Sequence, residues 1–278
     1  MIILVCAAVM GFSLYKIVSI SSNYNQARDE YSALREYVTK NDTGDDGSGE
    51  NNSSSGGGAS ATSGRGGESD EADEKNGSGV TGGGLKDLIP PVNVDHESLL
   101  AQNPDYRGWI YIEALPNISY PIMQSTDNDY YLHRTFDGVG LFAGSIFIDY
   151  QNKGDFSDPN TVVYGHNMKD DSMFGILQSM RDDALYEKSP YFWILTPQGS
   201  YKYKMFCMIS TDIYSEAYTL FKSPSKEFTD FIGKMKSISD VDTGDIIYDE
   251  NSKVVTLSTC ISGQGPDRFL ILGIRVNK

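Results

Sequence analysis

The chain is poor in cysteine, histidine and basic residues, and each shortage excludes a class of protein. Its 278 residues hold three cysteines and three histidines, too few for a disulfide-stapled scaffold. Lysine and arginine total 23 against 38 acidic residues, a formal net charge of −15. Because nucleic-acid binding is driven by basic side chains that neutralise phosphates, we expect no nucleic-acid partner. No clustered metal ligands and no phosphate-binding glycine motif occur, so neither a metal nor a cofactor is expected.

A long apolar run opens the chain. Residues 2–20 are almost wholly apolar around Lys16, near the minimum length for crossing a hydrocarbon core of roughly 30 Å. We predict an uncleaved membrane anchor over residues 1–20, hence a single-pass protein of the cell membrane with its globular part outside the cell. A cleaved signal segment and a buried helix are the alternatives. Tyr24, Tyr31 and Val38 fall seven apart, which predicts a short juxtamembrane helix over residues 21–40.

Residues 41–84 have the composition of a linker. They contain 14 of the 28 glycines and no aromatic residue, and their nine acidic against two basic residues give a net charge of −7. Such a segment cannot offset the entropy of ordering, so we predict a disordered spacer. The globular part, expected over residues 85–278, is therefore only mildly acidic.

The globular part is predicted to be mainly β. Eight runs rich in β-branched and aromatic residues are separated by turn residues, which favours a closed barrel or a sandwich. The runs are residues 109–112, 118–122, 145–150, 161–165, 191–196, 201–210, 253–259 and 269–276. Short helices are predicted at 95–102, 171–180 and 225–238. The last of these lies in a long insertion, residues 211–244, and long connections of this kind are often functional.

Three residues that suit covalent acyl transfer lie at strand ends. Cys260 and His166 each follow a predicted strand, and Arg268 directly precedes another. A thiolate is a nucleophile, an imidazole can carry protons, and a guanidinium keeps the charge that stabilises an oxyanion. Cysteine is also a common small core residue, and a histidine after a strand is often structural. Arg275 lies seven residues after Arg268, on the opposite strand face, which makes Arg268 the better candidate.

The motifs around these residues resemble those of the sortases. They are T-L-S-T-C at 256–260, with Arg268 eight residues further on, and Y-G-H-N-M at 164–168. Other stretches are similar to the class B branch, as is the helix-bearing insertion: residues 103–110, 120–124, 127–132, 144–149 and 173–174. The resemblance covers about residues 92–278.

The resemblance implies a mainly β fold: a closed eight-stranded barrel with short peripheral helices and the insertion between two late strands. It implies a membrane-anchored cysteine transpeptidase of Gram-positive cell surfaces. Such an enzyme cleaves a C-terminal sorting motif of a secreted protein through a thioester and transfers the acyl group to an amine. Cys260 is then the nucleophile, His166 the general acid and base, and Arg268 the oxyanion or substrate-positioning residue.

The resemblance leaves the amine open. An amine of a peptidoglycan precursor is the expected acceptor, and a pilin lysine is the alternative. A non-enzyme alternative is an inactive barrel that binds surface proteins. Papain-like proteases place their cysteine before their histidine in the chain, and caspases carry a Gln-Ala-Cys context; neither pattern occurs here.

Ser258 and Tyr218 are the candidates for peptide binding. Ser258 lies two residues before Cys260 on the same strand face, and Tyr218 supplies aromatic surface near the start of the insertion. The alternatives are an ordinary strand hydroxyl and a ring that packs the insertion onto the barrel. We expect the insertion to set the choice of sorting motif, which in class B relatives begins with Asn-Pro or Ser-Pro.

Overall fold

Short helices and strands follow one long N-terminal helix. The computed structural model describes residues 2–41, 89–261 and 265–277. The helices are α1 (Ile2–Leu34), α2 (His96–Gln102), α3 (Asp183–Lys188) and α4 (Lys226–Ser237), with 3₁₀ turns at Arg35–Tyr37, Leu177–Arg181 and Glu216–Tyr218. The strands are β1 (Val38–Lys40), β2 (Val92–Val94), β3 (Tyr106–Ile112), β4 (Ser119–Met123), β5 (Ile146–Ile148), β6 (Asn160–Tyr164), β7 (Tyr191–Thr196), β8 (Gly199–Asp212), β9 (Val254–Cys260) and β10 (Asp267–Arg275).

Eight of these strands close into a barrel. Their order around it is β10-β8-β7-β3-β4-β5-β6-β9, and β9 completes the ring by pairing with β10. Most neighbours are antiparallel, but β6 runs parallel to β9 and β5 runs parallel to β4. The prediction of a mainly β fold with a closed eight-stranded barrel and short helices is confirmed.

The late strands are apolar on both faces because a helix covers the barrel there. Phe269 and Ile271 of β10 belong to the barrel core, whereas Leu270 and Leu272 pack with the buried face of α4. Ser225 caps α4, its side chain accepting a hydrogen bond from the backbone of the first turn. This double burial explains why β10 is a continuous apolar run in the sequence rather than an alternating one.

The second half of α1 packs against the barrel domain. Ala27, Tyr31 and Leu34 are buried, and the Tyr31 hydroxyl donates to the Gly144 carbonyl at 2.6 Å. After α1 the chain makes a 3₁₀ turn and forms β1, which pairs antiparallel with β2. The helix predicted over 21–40 is therefore the end of a longer helix that stops at Leu34. Residues 1–41 form one compact unit with residues 90–278.

The prediction of a membrane anchor over residues 1–20 has to be corrected. Among the helices of the described residues, none combines the length and the apolar character that crossing a bilayer requires. In α1, Ser13, Lys16 and Ser19 interrupt the apolar residues, and beyond Ile20 the helix turns polar before it packs on the barrel domain. The prediction of a single-pass protein of the cell membrane is therefore wrong.

The predicted linker, residues 41–84, lies outside the described residues except for Asn41, and its disorder stays a prediction. Its flanks are described. The Asn41 backbone amide donates to the Pro91 carbonyl at 3.0 Å, and its side-chain amide donates to the Pro90 carbonyl at 2.7 Å. The chain thus leaves and re-enters the described structure at one point, the end of the β1–β2 ladder.

The helix predicted over residues 171–180 forms only in its last part. Asp171 and Met173 have positive φ angles, 63° and 53°, in the left-handed region where a right-handed helix cannot continue. The segment instead folds back, and the Phe174 amide donates to the His166 carbonyl at 3.0 Å. Helical structure then begins with the 3₁₀ turn Leu177–Arg181. The first part of the predicted helix is therefore a turn, and this turn supports the segment that carries His166.

Candidate active site

Cys260 ends β9 and lies directly across from Arg268 on β10. The two residues are a register pair in the antiparallel β9–β10 ladder, so their side chains point to the same face. Alternation along β9 places Leu257 in the barrel core and therefore turns Cys260 outward. Arg268 has the same parity as Leu270, which packs in the outer layer. The thiol and the guanidinium thus share the outer face at one end of the barrel.

His166 reaches the same end of the barrel from β6. The Gly165 amide donates to the Ser258 carbonyl at 3.1 Å, which extends the parallel β6–β9 pairing by one residue. A Cβ on Gly165 would come within 2.6 Å of the buried Phe174 ring, so only glycine lets the backbone pass there. The next residue, His166, is therefore brought level with the strand end that carries Cys260.

The His166 ring is fixed in one tautomer. Its Nε2 lies 2.8 Å from the Leu132 carbonyl, which can only accept, so Nε2 carries a proton and Nδ1 is left for proton transfer. Phe142 stacks on the ring with centroids 5.5 Å apart. Burial lowers the pKa of His166; the Leu132 hydrogen bond opposes this, and nearby His133 lowers the pKa further. At neutral pH the imidazole is thus neutral and able to accept a proton.

The two cysteines whose side chains are described have different surroundings. Cys207 is buried in β8, and burial, with the charge of Asp240, raises its pKa to about 12. Cys260 is partly exposed. Because the thiolate is the reactive form, Cys207 is inert near neutral pH, whereas Cys260 is open to a substrate.

Arg268 is tied to the loop that follows Cys260. Its Nη1 donates to the Gly265 carbonyl at 2.6 Å and to its neighbour Asp267's carbonyl at 3.1 Å. The Asp267 carbonyl also accepts from the Ile261 amide at 3.2 Å. Both guanidinium bonds come from one nitrogen of a group that has five N–H donors in all. The loop bonds therefore orient the fork without exhausting its donors.

Tyr218 and Ser258 are hydrogen-bonded to each other. Their hydroxyl oxygens lie 2.7 Å apart, and the Tyr218 ring stacks on Tyr164 with centroids separated by 6.3 Å. The Tyr164 hydroxyl in turn donates to the Asp149 carboxylate at 3.0 Å. Burial raises the pKa of Tyr218, which the Ser258 hydrogen bond and the charge of Arg268 oppose. Ser258 is buried and Tyr218 partly exposed, so Tyr218 presents the larger surface.

The chain is similar to known sortase B proteins. It is 39% identical over 181 residues to sortase B of Listeria monocytogenes, a match that covers 63% of this chain and 72% of that protein. The chain belongs to the class B sortases. A crystal structure of sortase B from B. anthracis in complex with AAEK1 superposes with a TM-score of 0.59 at 34% identity, covering 66% of this chain and 84% of the other. A Staphylococcus aureus sortase B–substrate complex superposes with a TM-score of 0.60 at 26% identity, covering 66% and 84%. No family model matches the chain.

As a sortase, the protein is a cysteine transpeptidase. Cys260, His166 and Arg268 meet at one end of the barrel. Arg275 lies near the other end of β10, with its guanidinium 3.5 Å from the centre of the Tyr201 ring. His96 is hydrogen-bonded to the Tyr106 hydroxyl, away from this end.

Three residues that contact these side chains or their backbone were not foreseen from the sequence. The Leu132 carbonyl and the Phe142 ring hold His166 from a distant loop, and a backbone carbonyl leaves no residue signature. Asn167 donates from its side-chain amide to the carbonyls of Cys260, at 2.8 Å, and Ile261, at 2.9 Å. Its place directly after His166 in the Y-G-H-N-M stretch was the one available signal.

Proposed function

We propose that this sortase cleaves a C-terminal sorting motif of secreted proteins through a thioester on Cys260 and transfers the acyl group to an amine of a peptidoglycan precursor. One observation carries the proposal: the strand register pairs Cys260 with Arg268 while the Gly165–Ser258 hydrogen bond brings His166 to the same strand end. A nucleophile, a proton carrier and a fixed positive charge on adjacent strands suit covalent acyl transfer.

The first half-reaction breaks the scissile peptide bond. The Cys260 thiol gives its proton to Nδ1 of His166, and the sulfur attacks the carbonyl carbon while the π electrons move onto oxygen. Arg268 supplies positive charge for that oxyanion. On collapse the C–N bond breaks, the imidazolium protonates the leaving amine, and a thioester remains on Cys260.

The second half-reaction repeats these steps with the incoming amine. Its nitrogen attacks the thioester carbonyl, and His166 takes one proton from it. The C–S bond then breaks, and His166 returns the proton to the Cys260 sulfur. The acyl group ends in a new amide bond, and the enzyme returns to its starting state without an oxidant or a cofactor.

Tyr218 is assigned to the wall of the peptide groove, and Ser258 to its support. The Ser258–Tyr218 hydrogen bond and the Tyr164 stack hold the partly exposed Tyr218 ring on the outer face that Cys260 and Arg268 share. An aromatic ring held in this way can contact apolar side chains of a peptide while the strand ends carry out the chemistry. The insertion that carries Tyr218 is then the part of the chain that selects the motif.

The test is a peptide-library cleavage assay on the full-length chain, read by mass spectrometry. The library centres on motifs that begin with Asn-Pro or Ser-Pro, and the amines offered are a glycine peptide, a diaminopimelate peptide and a lysine peptide. We expect an acyl adduct on Cys260 and an amide product with a peptidoglycan-type amine. Cys260→Ala should abolish both, and the matched Cys207→Ala should keep turnover.

Three outcomes would count against this function. Cleavage by Cys260→Ala, or an adduct on Cys207, would show that the nucleophile is another group. Hydrolysis without transfer to any amine would make the protein a protease rather than a transpeptidase. Transfer to the lysine peptide alone would replace the peptidoglycan acceptor by a protein lysine.

A further inference from the structure

On one of its two edges, β9 extends beyond the end of its pairing partner, β6. Carbonyls two residues apart on a strand point to the same side, so the Ser258 and Cys260 carbonyls both face β6. The first accepts from the Gly165 amide at 3.1 Å. β6 ends at Tyr164, and the last β6–β9 register pair is Tyr164 with Ser258. The strand ladder on this edge therefore stops one rung before Cys260.

A side chain supplies the missing rung. The Asn167 amide nitrogen donates to the Cys260 carbonyl at 2.8 Å and to the Ile261 carbonyl at 2.9 Å. Two acceptors require both N–H groups of the amide, which fixes the orientation of the side chain. Gln178 adds a second donor to the Ile261 carbonyl at 3.3 Å. The point where the chain leaves the barrel is thus held by side chains once the strand pairing has ended.

We propose that Asn167 is a positioning residue for the nucleophile, an inference that rests on the proposed function of Cys260. Asn167 is covalently next to His166, and a β-bridge with Met173 fixes its backbone. One residue therefore ties the backbone that carries the thiol to the backbone that carries the imidazole. A misplacement of about 1 Å between reacting groups can cost about 10²-fold in rate.

An isosteric change separates this role from packing. Asn167→Asp keeps the shape of the side chain but replaces the amide nitrogen, and with it both N–H donors, by a carboxylate oxygen that repels the two carbonyls, and Asn167→Ala removes the donors without adding charge. Asn277→Asp is the matched control. Asn277 likewise donates its side-chain amide to a backbone carbonyl, that of Ser200 at 2.8 Å, beyond the far end of β10.

The assay uses the full-length chain and a peptide that the wild type cleaves, with kcat normalised to the Cys260 thiol titrated by iodoacetamide. We expect both Asn167 variants to lose about 10- to 100-fold in kcat per titrated thiol, with KM within about threefold. Asn277→Asp should match the wild type. A purely structural role would lower the melting temperature and the number of titratable thiols but leave kcat per thiol unchanged.

A second readout needs no substrate. The second-order rate constant for alkylation of Cys260 by iodoacetamide is measured at neutral pH, and in Asn167→Ala we expect it to fall because the thiol loses its alignment with Nδ1 of His166, its proton acceptor. If the wild type cleaves no peptide, the proposed function fails, and the alkylation rate still decides the role of Asn167. An unchanged alkylation rate, wild-type kcat per thiol, or a loss confined to KM would overturn the inference. Should Asn167→Asp not fold, Asn167→Ser, which keeps one donor, takes its place with an intermediate loss expected.

Discussion

His166 donates to the carbonyl of Leu132, and Arg268 donates to the carbonyl of Gly265. A carbonyl carries no net charge and does not titrate near neutral pH. It therefore orients its donor without the large pKa increase that a carboxylate partner would impose on an imidazole. At the residue scale, this choice of partner lets burial dominate and keeps His166 in its neutral form.

The lowered pKa of His166 has a measurable consequence below neutral pH. Burial moves this pKa below its usual value of 6.5, so we expect the acid limb of kcat/KM to have its midpoint below 6.5. Between 6.5 and the folded-state pKa, the unfolded chain binds a proton that the folded chain does not, so stability should fall as the pH falls. In the His166→Gln variant, the melting temperature should depend less on pH within this window. A limb at or above 6.5, or an unchanged slope in the variant, would contradict the assignment.

Arg268 should not tolerate lysine. Lysine keeps the charge but loses the planar fork, and Arg268 already commits one nitrogen to the loop after Cys260. Loss of an oxyanion donor typically costs about 10²–10³ in kcat, and we expect Arg268→Lys to fall in that range when peptide cleavage is measured. Arg275→Lys is the control on the same strand and should leave turnover unchanged. Near-normal turnover of Arg268→Lys would show that charge alone suffices.

At the scale of elements, α1 contacts the loop that holds the His166 ring. Tyr31 of α1 donates to the Gly144 carbonyl. Gly144 has φ +54°, and a Cβ there would lie 2.5 Å from the Leu132 carbonyl oxygen, the same oxygen that accepts from His166. The loop backbone at Gly144 therefore packs closely against the backbone at Leu132. This packed region lies between α1 and the His166 ring, and α1 fixes its position on one side.

Tyr31→Phe tests this support. The change removes the donor and leaves the ring, so the Gly144 carbonyl loses its hydrogen bond from a buried side chain. An unsatisfied buried acceptor costs about 1–3 kcal/mol, and we expect a loss of that size in the free energy of unfolding from urea titration. Tyr15→Phe, in the exposed part of the same helix, is the control. Equal free energies of unfolding of the two variants would show that α1 does not support the loop.

The elements also show what the sequence could reveal. Strand ends are marked by turn residues, so the pattern alone predicts that Cys260, His166 and Arg268 lie at strand ends. That they share one end of the barrel depends on the strand pairing, which only the family resemblance implied. β1 and β2 have three residues each, too few for a recognisable period. Asp171 and Met173 adopt left-handed backbone angles although their stretch of sequence favours a helix, because a tertiary contact to His166 overrides the local propensity. Asn167 acts on a carbonyl 93 residues away, a pairing that no local pattern encodes.

At the scale of the whole molecule, the folded unit includes residues far from the barrel in sequence. The composition alone would place its N-terminal boundary near residue 85, whereas the structure joins residues 1–41 to residues 90–278. Ala27, Tyr31 and Leu34 bury their side chains in the common core. The start of the barrel domain is therefore covered by a segment that precedes the predicted linker.

A fragment that begins at residue 85 should melt at a lower temperature than one that begins at residue 21 and keeps the linker. Full burial of one large apolar side chain contributes about 1.5–3 kcal/mol, and the shorter fragment loses Tyr31, Leu34 and the β1–β2 pairing together. Thermal unfolding followed by circular dichroism measures the difference. Identical melting would mean that these contacts contribute nothing net.

The hydrogen bonds from Asn41 to Pro90 and Pro91 hold the two flanks of the intervening segment, residues 42–89, together, so that in chain connectivity this segment closes a ring. In polymer terms, a ring without packing of its own, as its composition predicts, only adds closure entropy, which grows as the logarithm of its length. Replacing it by a turn of about six residues should therefore raise the free energy of unfolding by about 2 kcal/mol. Urea titration of the full-length and shortened chains measures this, and a decrease would mean that the ring makes contacts with the fold. If stability rises, the glycine-rich segment is a cost to folding, and any selective reason for its length lies outside the folding of this domain.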